Sequence, residues 1–382
     1  MKARILLALV FAAGLSGCST ISGWFGSSST EIKPAALTAF HPTAKLVKAW
    51  ESDIGSGGTY EFSPGTDGQA VYVADKEGHL AKLDLATGKA LWKIDTGHVL
   101  STGVGVGDDL VLVGTPKGQV LAYKSDNGQP AWTANLSGEI LVPPVVGEGV
   151  VAARGNDGNI WLLDAKDGKQ RWVYNRLLPA LILRVPSDLL LNDRGLFAGN
   201  PGGTLVGIAL NNGAPAWETA VAQPKGATEL ERISDITGPL AANDHLICAA
   251  AYQGRIGCFD QVSGNPVWVR PFSGLTGVDR GGDYLYASDE HGTVESFGME
   301  SGAIQWKQDA LRDRKLTTPV EVDNYVAVAD YQGYVHLLGR DDGQFAARAE
   351  TDGSAVDGNL LALRRGLIVQ TAKGGVFAFR IE

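Results

Sequence analysis

The chain of 382 residues carries 42 acidic against 33 basic side chains, a net charge of −9 at pH 7, and shows no polybasic patch. That balance argues against a nucleic-acid partner. Its six histidines, at 41, 79, 98, 245, 291 and 336, make no HxH, HExxH or Cys/His cluster, so no metal site is expected.

The first residues, MKARILLALVFAAGLSGCST, read as an export signal over residues 1–17. Lys2 and Arg4 supply a basic start, and the apolar run from Ile5 falls far short of the ~20 residues that cross a bilayer. Leu15-Ser16-Gly17-Cys18 resembles the lipobox of bacterial lipoproteins, whose signal peptidase cuts before the cysteine and leaves it lipidated. The resemblance implies an acyl (palmitate-type) anchor on Cys18. With Ser19 in place of Asp, it also implies the inner leaflet of the outer membrane, facing the periplasm. Residues 18–42, rich in Ser and Gly, read as a flexible tether, and 43–382 as one folded domain.

Further along, a Gly-bounded turn recurs eight times, at Gly78, Gly118, Gly158, Gly203, Gly254, Gly292, Gly333 and Gly374. The steps match the ~40–50-residue unit of a propeller blade. A second glycine follows seven of them, at Gly88, Gly128, Gly168, Gly213, Gly264, Gly302 and Gly343. A tryptophan usually stands four residues beyond: Trp92, Trp132, Trp172, Trp217, Trp268 and Trp306. In Val71–Lys93, two tight turns separate three β-branched or apolar runs, and a fourth strand precedes each unit. One such sheet cannot bury both of its faces alone, whereas sheets stacked around an axis can. The expected fold is therefore all-β, an eight-bladed propeller of four-stranded antiparallel blades.

The indoles are expected to wedge between neighbouring blades. Asp84, Asp164 and Asp260, each four residues before a second glycine, are expected to cap turn backbone. The seventh unit departs from the pattern, with Ala347 where Trp belongs and Phe345 nearby to supply bulk. The last unit, Leu367 to Glu382, lacks an outer strand, while Leu46 to Ile54 carries Trp50 in outer-strand pattern with no strands before it. Pairing the two ends closes the ring and removes the open sheet edge.

Cys248 and Cys258 stand five residues on either side of Gln253, opposed across a hairpin. In an oxidising compartment they form a cross-strand disulfide; otherwise they are two small buried hydrophobes. Gly103-Val104-Gly105-Val106-Gly107 has no following helix and reads as an inner strand crowded at the axis, not a nucleotide loop. There is no GxSxG.

Ala81 to Trp92, AKLDLATGKALW, resembles the repeat of the pyrroloquinoline-quinone alcohol dehydrogenases. Those enzymes carry an adjacent Cys-Cys pair and a calcium-binding set, and this shorter chain has no Cys-Cys anywhere. A quinone-dependent periplasmic oxidoreductase and a glycan-binding propeller are the alternatives to a non-catalytic, cofactor-free reading. Lipobox, tether and eight repeats together resemble the BamB family, lipoproteins of the outer-membrane β-barrel assembly machinery. Two interruptions of the repeat carry the resemblance further: Leu181-Ile182-Leu183-Arg184, and Ala227-Thr228-Glu229-Leu230-Glu231-Arg232-Ile233-Ser234-Asp235-Ile236, similar to the family's STEIDRLSD-type loop. It implies that Leu181, Leu183, Arg184 and Asp235 dock on a POTRA domain of BamA, in a scaffold that assists insertion of β-barrel proteins and presents blade edges to their unfolded strands. Thr237 stands where the family has a second acid. The opposing expectation is that the leucines pack between blades and Arg184 pairs with Asp235.

Overall fold

The computed structural model describes residues 33–185 and 187–382. The signal segment and Cys18 lie outside the described residues. The compact unit runs from Ala35 to Glu382 and contains every described strand.

Eight four-stranded antiparallel sheets follow the repeats, seven of them as consecutive meanders. The eighth joins the three strands from Leu361 onward to the strand Leu46–Asp53, whose partner is Gly375–Ile381. Eight apolar clusters sit one at each seam between blades, and the cluster around Trp50, Val71 and Ile368 lies between the eighth blade and the first. The ring is closed. Second strands such as Ala70–Ala74 and Val150–Arg154 are buried along their whole length, because both faces meet a neighbouring blade. That is why they read as continuous apolar runs rather than as alternation.

The glycine–tryptophan register is the lock between blades. Each of the seven outer-strand tryptophans lies on the second glycine of the next blade, and its indole Nε1 donates to a backbone carbonyl there at 2.7–3.2 Å. Trp172 shows the geometry: it bonds Leu210 O at 2.8 Å and covers Gly213, where an added Cβ would sit 2.6 Å from the ring. Gly213 also has φ +73°, so glycine meets two demands at once. Ala347 breaks the pattern for a topological reason. Its neighbour, the eighth blade, has its third and fourth strands on opposite chain ends, so no second-glycine turn exists to receive an indole. Ala44 fills that seam instead, with Thr43 N–H donating to Ala346 O at 3.0 Å.

The tether expected to reach Pro42 ends earlier on its described side. Leu37 packs in the seam of blades six and seven, and Phe40 lies 5.4 Å from Phe345. Arg314 and Arg348 donate to the carbonyls of Ala35 and Thr38 at 3.0 and 3.1 Å. Two large apolar side chains with a surface to cover do not stay in solvent. Asp84, Asp164 and Asp260 accept turn N–H groups, as their positions suggested. At Gly103 and Gly107, a Cβ would come within 2.5 and 2.9 Å of backbone atoms of Ser63 and Val146, the crowding expected of inner strands.

Cys248 and Cys258 are directly paired residues of the fifth blade and are joined by a disulfide, fully buried in the seam with blade six. Replacing both by alanine is expected to lower the unfolding free energy by about 2–4 kcal/mol. Denaturant melts of the oxidised protein and the double variant check this; coincident curves would contradict it.

Candidate functional site: two adjoining linkers on one face of the ring

Every linker leaves an outer strand and crosses to the next blade's inner strand on the face that carries the first-glycine turns. Thr96, Leu136, Val221 and Thr351 donate N–H there to the carbonyls of Gly78, Gly118, Gly203 and Gly333. Two consecutive linkers are long: the one from Tyr174 to Leu189, joining blades three and four, and the one from Ala220 to Ala241, joining four and five. They hold each other, since Asp188 N–H donates to Gly238 O at 2.9 Å and Ser187 bridges Gly238 in parallel.

Asp235 is the knot of this arrangement. Its side-chain oxygens accept the N–H groups of Leu183 at 2.7 Å and Gly202 at 2.9 Å, and its carbonyl accepts that of Tyr252 at 2.9 Å. One carboxylate thus joins the first linker to a turn of blade four, and its backbone joins the second linker to blade five. It is only 3 % exposed, which corrects the expectation that it faces a partner. Short, charge-assisted bonds to backbone N–H groups are a positioning device. Thr237 is fully buried beside it, so a second carboxylate would be costly at that position.

Arg184 does not pair with Asp235. Its Nη2 donates to both carboxylate oxygens of Glu139, at 3.0 and 3.1 Å, and the guanidinium lies 5.9 Å over the Tyr60 ring while remaining well exposed. Tyr60 donates its hydroxyl to the same Glu139 at 3.0 Å. Neither Tyr60 nor Glu139 was singled out in the sequence, because they come from other linkers, the one entering blade one and the one joining blades two and three, far from the two long linkers along the chain. Leu183 is half-buried, and Leu181 is 48 % exposed. Two further leucines stand out from the same linkers, Leu177 at 95 % and Leu230 at 67 % exposure. A signal for Leu230 was present. Thr228 and Glu231 have capping-box spacing, and they make both of its bonds, Glu231 N–H to Thr228 Oγ1 at 3.3 Å and Thr228 N–H to Glu231 Oε2 at 3.1 Å. Leu230 rides on that stiffened turn. The two linkers therefore present exposed apolar tips together with the Arg184 cation, on backbone tied down by hydrogen bonds.

Beside it opens an axial cavity of about 260 Å³ in which Glu61, Asp188 and Asp357 converge. Desolvation, with Asp357 and Asp188 adding like charge, pushes the Glu61 carboxyl up to about 7, although it stays in contact with water. Burial takes Asp188 up to about 6, against the opposing pull of Arg154. Both groups bind protons more tightly folded than unfolded, so stability is expected to rise as pH falls from about 7 toward about 4.5. Glu61→Gln should flatten that slope in thermal melts taken across the window. Identical slopes in the two proteins would contradict the assignment.

A family model described as outer membrane protein assembly factor BamB matches residues 76–308 and 290–382. The chain belongs to the BamB family. Among curated relatives of that name, the Burkholderia pseudomallei protein is 41 % identical over 91 % of each chain. The Bordetella pertussis protein is 38 % identical over 96 % of this chain and 94 % of its own. The crystal structure of BamB from Moraxella catarrhalis superposes with a TM-score of 0.80 at 26 % identity, covering 88 % of this chain and 99 % of that one. A quinohemoprotein alcohol dehydrogenase from Comamonas testosteroni shares the fold at a TM-score of 0.68 and 14 % identity, over 88 % of this chain and 76 % of that one. That likeness concerns architecture alone.

Proposed function

We propose that this chain is a non-catalytic scaffold of the outer-membrane protein assembly machinery. It is held to the outer membrane through acylated Cys18, faces the periplasm, and docks on a POTRA domain of BamA. The observation that carries the reading is the pair of linkers pinned through Asp235, which sets Leu177, Leu181, Leu230 and Arg184 on one exposed face. Apolar anchors beside an arginine, on pre-ordered backbone, suit a binding surface, because little conformational entropy is lost when the partner arrives. The relatives' names, outer membrane protein assembly factors, support the assembly role.

Two alternatives fare worse on physical grounds. The quinone enzymes that share the repeat carry an adjacent Cys-Cys pair, and this chain has none. A glycan platform needs exposed aromatic faces, yet every described tryptophan is buried or half-buried. Calorimetric titration of the purified lipoprotein with the POTRA domains of BamA tests the proposal. Saturable binding at one site per chain is expected; no heat and no complex at micromolar concentrations would end it.

A further inference from the structure

Arg154 ends the second strand of blade three, at the position paired with Ile160. Six blades place a small residue in that register, Ala74, Gly114, Gly199, Ala250, Ser288 and Ala329, since the site is crowded and enclosed. Gln370 of the eighth blade reaches across the closing seam to Ala74 O at 2.8 Å. Arg154 is larger still and charged, and it is only 4 % exposed. Its two bonded partners are neutral: Nη1 donates to Ser187 O at 3.0 Å and Nη2 to Asn200 Oδ1 at 2.7 Å. Burial, with Arg176 adding like charge, pushes its pKa down to about 10. Asp188 lies near enough to oppose that shift, but a cation whose direct acceptors are neutral and which is buried away from water is still unfavourable for folding compared with an apolar side chain of similar size.

The partners show what this arrangement accomplishes. Ser187 closes the first linker and bridges Gly238 of the second, and Asn200 O accepts the N–H of Ile236 from the second linker at 3.3 Å. Behind the linkers, meanwhile, lies a cavity of about 150 Å³ bounded by Arg154, Ile182, Leu183, Asp235 and Ile236. Apolar packing is incomplete there, so polar pins must hold the linkers in place. We infer that Arg154, buried beneath the exposed face, is a positioning residue that together with Asp235 fixes both linkers in the arrangement a partner binds. The inference rests on the docking function proposed above and adds that the surface is pre-formed.

Hydrogen exchange on the full-length lipoprotein in mild detergent, paired with BamA affinity, tests it. In Arg154→Met, the amides of Leu183, Asp188 and Ile236 should exchange at least tenfold faster while those of Val151–Ala153 keep their protection. Affinity for BamA should drop about tenfold, and Arg154→Lys, which can keep one of the two bonds, should recover part of both effects. If the methionine variant does not fold, Arg154→Gln serves in its place. Unchanged exchange at the three linker amides overturns the inference, as does faster exchange with unaltered affinity while Arg184→Glu still weakens binding. Failure of the docking assignment itself looks different: Arg184→Glu would then leave affinity untouched.

Discussion

Arg184→Glu is expected to reduce affinity for BamA by a factor of about 30 or more, corresponding to about 2 kcal/mol or more for an arginine at the centre of a binding surface. The loss has two sources. The partner's carboxylate loses its cation, and the new glutamate stands against Glu139, which already accepts the Tyr60 hydroxyl. Because the guanidinium is mostly exposed, removing it leaves no cavity, and the melting temperature should move little. Glu139→Gln separates the two sources: it keeps the cation and weakens only the fork that steadies it, so its effect should be several-fold smaller. Equal losses in the two variants would mean that orientation, not charge, carries the contact. Surface plasmon resonance at two salt concentrations distinguishes the cases further, since exposed charges act through a screened field.

The largest expected effect on folding belongs to Trp172→Ala. A large buried aromatic costs about 3–5 kcal/mol on truncation, against a total stability of about 5–15 kcal/mol for a folded domain. Here the indole fills the seam of blades three and four and caps Leu210 O, so the carbonyl loses its partner as well. Gly213→Ala should destabilise the same seam, since its Cβ would meet the ring and its φ is positive. The two costs should not add. With the indole gone, the clash at Gly213 disappears and only the backbone strain of alanine at positive φ remains. Guanidinium melts of the two single variants and the double variant measure this. Strict additivity would show that ring and glycine do not form one contact.

The propeller was legible because its determinants recur. Glycine at a fixed distance before tryptophan marks a contact between successive units, and six copies make the register plain. Even the exception at Ala347 follows from the same contact, once the receiving turn is seen to be missing from a blade made of both chain ends. The site was legible only as residues, not as roles. Leu181 and Arg184 are exposed as the family resemblance implied, but Asp235 faces inward and works through backbone N–H groups. Nothing local distinguishes an acid that meets a partner from one that ties two linkers, because its bonding partners lie 33 and 52 residues away. Arg154 and Glu139 were hidden for the same reason. Arg154 ends an ordinary blade strand and Glu139 stands in a short linker, and the importance of each comes from a long linker that the repeat pattern does not describe. Leu37 and Phe40 belong with them, since a Ser/Gly-rich stretch conceals two side chains that find a seam in the ring.

Site-specific photocrosslinking in living cells puts the central claim to its most direct test. A photoreactive residue at Leu181 or at Leu230 lies on the linker face, whereas one at Val262 sits in a second-glycine turn on the opposite face of the ring, equally open to solvent at 69 % exposure. Adducts with BamA from positions 181 and 230, and none from 262, are the predicted outcome. BamA adducts from position 262 with none from the linkers would contradict the account.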